Sequence, residues 1–449
     1  MRQPLQEQLP LAAPGVDHRH TRELAEIDRI LGLHPDVLDL VLQDLHQGIR
    51  SDTGREGMTA EQVLRVAVLR ALGNFTYEEL TFFLPESPTY RSFCGYGLFD
   101  EIPAKSTLQR NVKRIGADTW QAINHVLLSY ARAERVEDGR KTRTDATVVE
   151  TNIHPPTDSS LLWDSVRVLD RLLKEAHEDL GIERFPSRRR RAKRRALDIL
   201  NAKKERKRRK AYRDLLKVSE ETVGYARSAL AQLHACPDLM AAFAAAEIEK
   251  YVHRAEWVID QTERRVLHGE DVPATEKLFS IFEPHTDIII KDRRDTHYGH
   301  KLTLTGGKSG LVLDWVVEDG NPADSTLATR MLERHKNVYG RVPRQAAFDG
   351  GFASKANLKE AKDLGVKDVA FSKKRGLEVP DMARSRAIYK RLRNFRAGIE
   401  SWISYLKRAF GLERCVWRGE AGFARYVGSS IVAGNLLTLA RHLLARAAT

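Results

Sequence analysis

From Asp164 to about Glu263 every apolar repeat in the chain has helical spacing and no strand signal occurs, yet strand-like segments lie on both sides. This run constrains the fold more than any other feature, because it reads as an all-helical insertion into a sheet. Upstream, Thr142 to Ile153 is rich in β-branched residues after a Gly139 turn and predicts a strand with Asp145 near its middle. A carboxylate in a buried strand is costly unless it holds a cation or a partner. Downstream, strands are expected over Lys277 to Phe282, Asp287 to Ile290, His300 to Thr305 and Gly310 to Val317, the last two joined by a Gly-rich hairpin at 306–309. A helix from Pro322 to Tyr339 leads to a short strand, Val342 to Phe348, which ends in Asp349-Gly350-Gly351-Phe352. An acid at the carboxyl end of a strand, followed by two glycines and a helix (Ser354 to Leu364), faces the crevice of an open sheet. One more strand, Asp368 to Phe371, and a basic linker, Ser372 to Gly376, precede the helix that carries Glu400.

In that helix, Phe395, Ile399, Trp402, Ile403, Leu406 and Phe410 share one stripe, and Arg393, Arg396, Glu400 and Lys407 share another. In isolation this is an amphipathic surface helix in which Glu400 pairs with Arg396 and Lys407. The two acids delivered by strands change that expectation.

The chain has 449 residues, enough for two or three structural units. Residues 1–22 are expected to form a disordered leader. Residues 23–137 are expected to form a helical N-terminal domain, with helix starts at the capping boxes Thr59 to Gln62 and Thr76 to Glu79 and a third at Ser106 to Gln109. That third helix, with Arg110, Lys113 and Arg114, suits a helix-turn-helix-like DNA-binding domain. Residues 138–163 and 277–430 make up the expected catalytic core, 164–276 the insertion and 431–449 a closing helix. Cys94, Cys236 and Cys415 are solitary and fit neither a zinc site nor a disulfide framework. The absence of a long apolar run or a signal-peptide core predicts a cytoplasmic, nucleoid-associated protein with no membrane partner.

The net charge of +13 is concentrated in one place. Between Arg188 and Arg213 there are 15 Lys or Arg against Asp198 and Glu205, and the rest of the chain balances. A stripe of this density, opened by Arg188, Arg189, Arg190 and Arg191, attracts polyphosphate by counterion release and predicts salt-sensitive binding to double-stranded DNA.

The order of strands and helices from 142 to 412 is that of an α/β, RNase H-like mixed sheet. Asp145, Asp349 and Glu400 then come from three separate elements. Three hard carboxylate ligands suit two Mg²⁺ ions, with Mn²⁺ able to substitute, in an in-line phosphoryl displacement.

Thr144-Asp145-Ala146-Thr147, the segment His154 to Ser159, Phe348-Asp349-Gly350-Gly351-Phe352, the Arg396-x3-Glu400-x6-Lys407 signature and Phe410 to Arg414 together resemble the bacterial insertion-sequence transposases of the DDE superfamily. Residues 59–130 are similar to the helical N-terminal domain of such enzymes. The resemblance implies that Asp145, Asp349 and Glu400 are catalytic metal ligands, and that Arg396 and Lys407 contact phosphates of the transposon end. Arg408 and Arg393 lie on the same helix and are expected to touch DNA as well. In the family signature a Tyr stands three residues before the Arg, where this chain has Arg393. Water would attack first and a freed 3′-hydroxyl second, on a homodimer assembled on DNA. Two other readings remain open: a catalytically inactive or repurposed DNA-binding protein, and an RNase H-like structure-selective nuclease.

Overall fold

The computed structural model describes residues 17–48, 57–291 and 295–448. The leader expected over residues 1–22 therefore falls mostly outside the described residues, and the chain is already helical at Arg19. It divides into two compact units, Met1–Glu150 with His300–Thr449, and Thr151–Gly299.

The first unit opens with α1 (Arg19–Gly32) and α2 (Asp36–His46), separated at His34-Pro35 as the proline requires. Helices α3 (Ala60–Gly73) and α4 (Tyr77–Glu86) start at the expected capping boxes, each with its threonine and the third residue of the helix bonded reciprocally. Asn74 makes the connection between them in the left-handed conformation, φ 49°. A short α5 (Pro88–Phe93) follows. Helix α6 (Lys105–Val112) corrects one expectation, since its N-cap is Ala104 and no side chain caps it. The amides of Thr107 and Leu108 close onto the Ala104 carbonyl at 2.8 and 3.0 Å, which leaves Ser106 inside the first turn rather than in front of it. Helix α7 (Ala117–Ala133) completes this part, and β1 (Lys141–Thr151) carries Asp145.

The second unit holds α8 (Asp158–Leu180), α9 (Arg189–Asn201), α10 (Glu205–His234) and α11 (Leu239–Thr262), packed around Leu161, Leu215, Val218, Ala226 and Val258. The strand expected over 277–282 is not formed. Gln261 of α11 donates to the Leu278 carbonyl (3.3 Å) and accepts from the Leu278 amide (2.8 Å), so a glutamine side chain satisfies backbone groups that a strand would give to a neighbour. Leu278 and Ile281 are nonetheless buried, against the helices. Strand β2 (Asp287–Lys291) pairs antiparallel with the first part of β3 (Asp295–Gly306).

From His300 onward β3 belongs to the first unit and forms a hairpin with β4 (Val312–Val317). Helix α12 (Ala328–Tyr339), β5 (Gln345–Phe348), α13 (Lys355–Asp363), β6 (Asp368–Phe371), α14 (Val379–Met382), α15 (Arg386–Ala409), β7 (Arg414–Cys415) and α16 (Glu420–Ala447) follow. The strand order is β2-β3-β1-β5-β6, with β4 on β3 and β7 on β1, and β1, β5 and β6 run parallel. This is the mixed α/β, RNase H-like arrangement. Ala346, Ala347, Phe348, Val369, Ala370 and Phe371 are all buried, as expected of parallel strands covered on both faces. Helix α16 returns to the helical part of the unit, where Gly428 faces Trp120 of α7, Asn435 donates to Asn124 (2.6 Å) and Arg441 reaches Glu23 of α1 (2.7 Å).

Asp368, fully enclosed at the start of β6, ties the parallel strands to the segment that leads into α15. It accepts from Arg384 Nε (3.1 Å), Nη2 (2.9 Å) and backbone N (3.2 Å), and from Gln345 Nε2 (3.0 Å). Burial alone would raise its carboxyl, but Arg384 and Gln345 outweigh that and hold it at about 2. A depressed carboxyl adds stability that is complete above about pH 4 and is lost as pH falls towards 2. Asp368→Ala is expected to cost about 1–3 kcal/mol in urea unfolding at pH 7, below the value for a fully buried pair because Arg384 is half exposed. Much of the difference between the two proteins should vanish at pH 2.

Candidate active site at the ends of the parallel strands

The strand register places the first two acids. Thr144 of β1 is opposite Phe348 of β5, and Phe348 is opposite Phe371 of β6. The next residues are Asp145, Asp349 and Ser372, so they stand in a row across three parallel strands. Ser372 Oγ donates to Asp349 Oδ1 at 2.7 Å. Burial pushes the Asp349 carboxyl up, but the Ser372 hydroxyl, the Gly350 and Gly351 amides and Arg396 prevail and hold it below the usual carboxylate range.

Helix α15 supplies the third acid. Its first half packs Tyr389 and Leu392 against the core under β5 and β6, and Tyr389 donates to the Phe371 carbonyl at 2.9 Å. Its second half buries Ile399, Ile403, Leu406 and Phe410, the stripe read from periodicity, while Phe395 and Trp402 are half-buried. Arg143, two residues before Asp145 and on the same face of β1, donates to the Phe395 carbonyl (3.0 Å) and lies over the Phe395 ring. A Cβ on Gly398 would meet Arg143 Nη1, the movable end of that side chain.

The three acids converge on one guanidinium. Arg396 Nη2 lies 2.9 Å from Asp145 Oδ2 and 2.9 Å from Asp349 Oδ1, and Nη1 lies 2.7 Å from Glu400 Oε1. The Arg396 side chain is only 13% exposed and Glu400 is 63% exposed. Among the described residues no three His, Cys, Asp or Glu side chains gather closely enough to hold a metal ion as they stand. The donor chemistry still fits a divalent cation, because three carboxylates already share one positive charge, with Arg396 as the stand-in. A metal and this guanidinium would compete for the same oxygens.

The other cations expected to meet DNA divide into two groups. On α15, Lys407 reaches Glu413 at 3.4 Å, Arg408 Nε contacts the Ser404 carbonyl at 3.4 Å, and Arg393 is exposed with no ion pair among the described residues. Near α6, Arg110 is exposed, Lys113 lies over the Trp417 ring, and Arg114 donates to the Gln47 carbonyl. Lys105, at the start of that helix, pairs with Glu78 at 2.5 Å. In the second unit Arg188 pairs with Glu221 (2.9 Å), Arg191 and Arg195 with Asp214, and Arg208 with Glu205 (3.4 Å), while Arg209 donates to the Leu267 carbonyl. Arg189, Arg190, Lys193 and Arg194 are exposed and make no such bond among the described residues. An open cleft of about 750 Å³ between α9 and α10 is lined by Arg195, Lys207, Lys210, Arg213 and Lys217 together with Asp198 and Asp214.

Sequence reasoning missed Ser372 and Arg143. Ser372 has no motif of its own and acquires a partner only through the register of β5 and β6. Arg143 carries a signal in the i, i+2 spacing that puts it on the face of Asp145.

Residues 259–436 match the family model described as "Transposase DDE domain", and residues 17–114 match "Transposase domain (DUF772)". No curated protein and no solved structure matches the chain. The first match contains Asp349, Arg396, Glu400 and Lys407 and begins within the second unit, beyond Asp145. The fold restores Asp145 to that set, and with an N-terminal transposase domain ahead of a DDE domain the chain belongs to the DDE-type insertion-sequence transposases.

Proposed function

We propose that this transposase cuts DNA at the ends of its own insertion sequence and joins the freed ends to target DNA, using Asp145, Asp349 and Glu400 as ligands for divalent metal. The observation that carries the reading is the convergence of these three carboxylates, from two adjacent strand ends and one helix, on a single positive charge. When bound, two Mg²⁺ or Mn²⁺ ions supply activation of the attacking oxygen and stabilisation of the leaving oxygen. Asp349 is held ionised and oriented by Ser372 and the Gly350 and Gly351 amides, and it presents a lone pair without first losing a proton. Arg396 exchanges the carboxylates for a phosphate of the DNA end, a bidentate partner its planar fork suits equally well. Lys407, two turns beyond Glu400 on the same helix, takes a neighbouring phosphate. The exposed arginines of α9 and Arg110 of α6 hold flanking duplex on a homodimer. No helix of the described residues is long and apolar enough to cross a membrane.

The test uses the full chain with DNA from either flank of its gene, chosen for inverted repeats. Mg²⁺- or Mn²⁺-dependent cutting at the repeat and strand-transfer products are expected. Asp349→Asn should lose at least about 100-fold in rate, since even partners one step removed from a metal ligand are worth about 10–100-fold. Equal cutting by Asp349→Asn would remove the catalytic role. Cutting of junctions or hybrids without joining would instead identify a structure-selective nuclease.

A further inference from the structure

The turn Ser372–Gly376, basic in sequence, is a built element. The Ser372 amide bonds to the Phe348 carbonyl (3.1 Å) and the Leu377 amide to the Lys374 carbonyl (3.0 Å), so both ends are closed. Its first residue holds Asp349. The stem of Lys373 lies on Gly350, where a Cβ would come within 2.8 Å of Lys373 Cβ and Cγ, so the residue after Asp349 must be small for the turn to sit there. Lys373, Lys374 and Arg375 are all exposed and none forms an ion pair among the described residues. Arg375 adopts φ 46°, a left-handed conformation that a non-glycine residue takes at a cost, and Gly376 follows at φ 82°. A strained backbone that presents three successive unneutralised cations beside an acidic site is the pattern expected of a functional contact.

We propose that this turn is a phosphate clamp, in which Lys373, Lys374 and Arg375 contact the DNA backbone next to the phosphodiester held at Asp145, Asp349 and Glu400. The inference rests on the proposed role of those acids for its location, and it adds a substrate contact outside the Arg396-x3-Glu400-x6-Lys407 signature. Glycine at 375 would fit the backbone better than arginine, so R375G removes the charge without straining the turn.

The experiment measures, on the full chain, the salt dependence of binding to a fluorescein-labelled duplex of about 40 base pairs, together with melting temperature. Each phosphate interaction that a variant removes should flatten the slope of log K against log salt by about 0.9. R375G should flatten it by about 1 while melting at or above the parent temperature, and K373A/K374A/R375G by about 2–3. K355A/K359A, which removes two exposed lysines of α13, serves as the control and should leave the slope unchanged. An unchanged slope in R375G and the triple variant, or an equal loss in the control, overturns the proposal. So does a lower melting temperature for R375G with unchanged binding. If the triple variant does not fold, R375G alone decides. Equal cutting by Asp349→Asn would sink the catalytic reading without touching this slope, so the two failures are distinguishable.

Discussion

Arg396→Ala is expected to bind Mn²⁺ at least about tenfold more tightly than the parent chain and yet to cut end DNA more slowly. The guanidinium makes three ion pairs within 2.9 Å from a largely buried position, so a divalent ion reaches the carboxylates only as Arg396 leaves them. Exposed pairs are each worth about 0.2–1 kcal/mol, and removing one partner of a buried pair costs more, because it leaves the other charge uncompensated. Removing about 1.4 kcal/mol of competition is one decade in affinity. Arg396→Lys should fall between the two, because an ammonium cannot bridge three carboxylates with a planar fork. Titration calorimetry with Mn²⁺ in the absence of DNA is the check. Weaker or equal binding in Arg396→Ala would mean that the arginine assembles the acids rather than competes for them. On the proposed function the same substitution would also remove a phosphate contact when DNA is present, so the cutting rate is expected to fall although the metal is held more tightly.

The second large effect is expected in the helical unit. Replacing Arg189, Arg190, Lys193 and Arg194 with alanine should flatten the salt slope of duplex binding by about 3–4, which between about 50 and 200 mM salt corresponds to about two decades in affinity. Arg191→Ala and Arg195→Ala should change that slope far less, because both arginines already neutralise Asp214, and should show their effect in the melting temperature. An identical slope in the fourfold variant would reduce the stripe to a solvated face.

These contrasts separate what local sequence encodes from what only the tertiary fold creates. Asp145, Asp349 and Glu400 were legible because each stands at a point that periodicity and turn chemistry locate: a β-branched run, a strand ending in Gly-Gly, a helix with one apolar stripe. Their meeting at Arg396 was not legible, since helical spacing gives the face of a residue but not which strand ends arrive opposite it. The register that sets Ser372 beside Asp349 is a tertiary outcome as well. The segment 277–282 has the apolar content of a strand because Leu278, Phe279 and Ile281 are buried, and burial alone does not provide a pairing strand; Gln261 met its backbone instead. Ser106 to Gln109 fits a capping box, but an extended Ala104 starts the helix earlier and removes the free amide such a box would satisfy.

Helix α16 has a consequence for synthesis. The hydrophobic faces of α1, α3 and α7 close around Tyr426, Val427, Ile431, Leu436 and Leu439, residues made more than 290 positions after α7 ends. While the ribosome is still reading the region of the acids, the amino-terminal helices therefore have an open groove that no earlier segment fills. A messenger cut short before residue 420 would yield a chain with both transposase matches largely present and its amino-terminal helices left without α16, a natural target for proteases. Closure of that groove would then wait for α16, however early the helices that line it have been made.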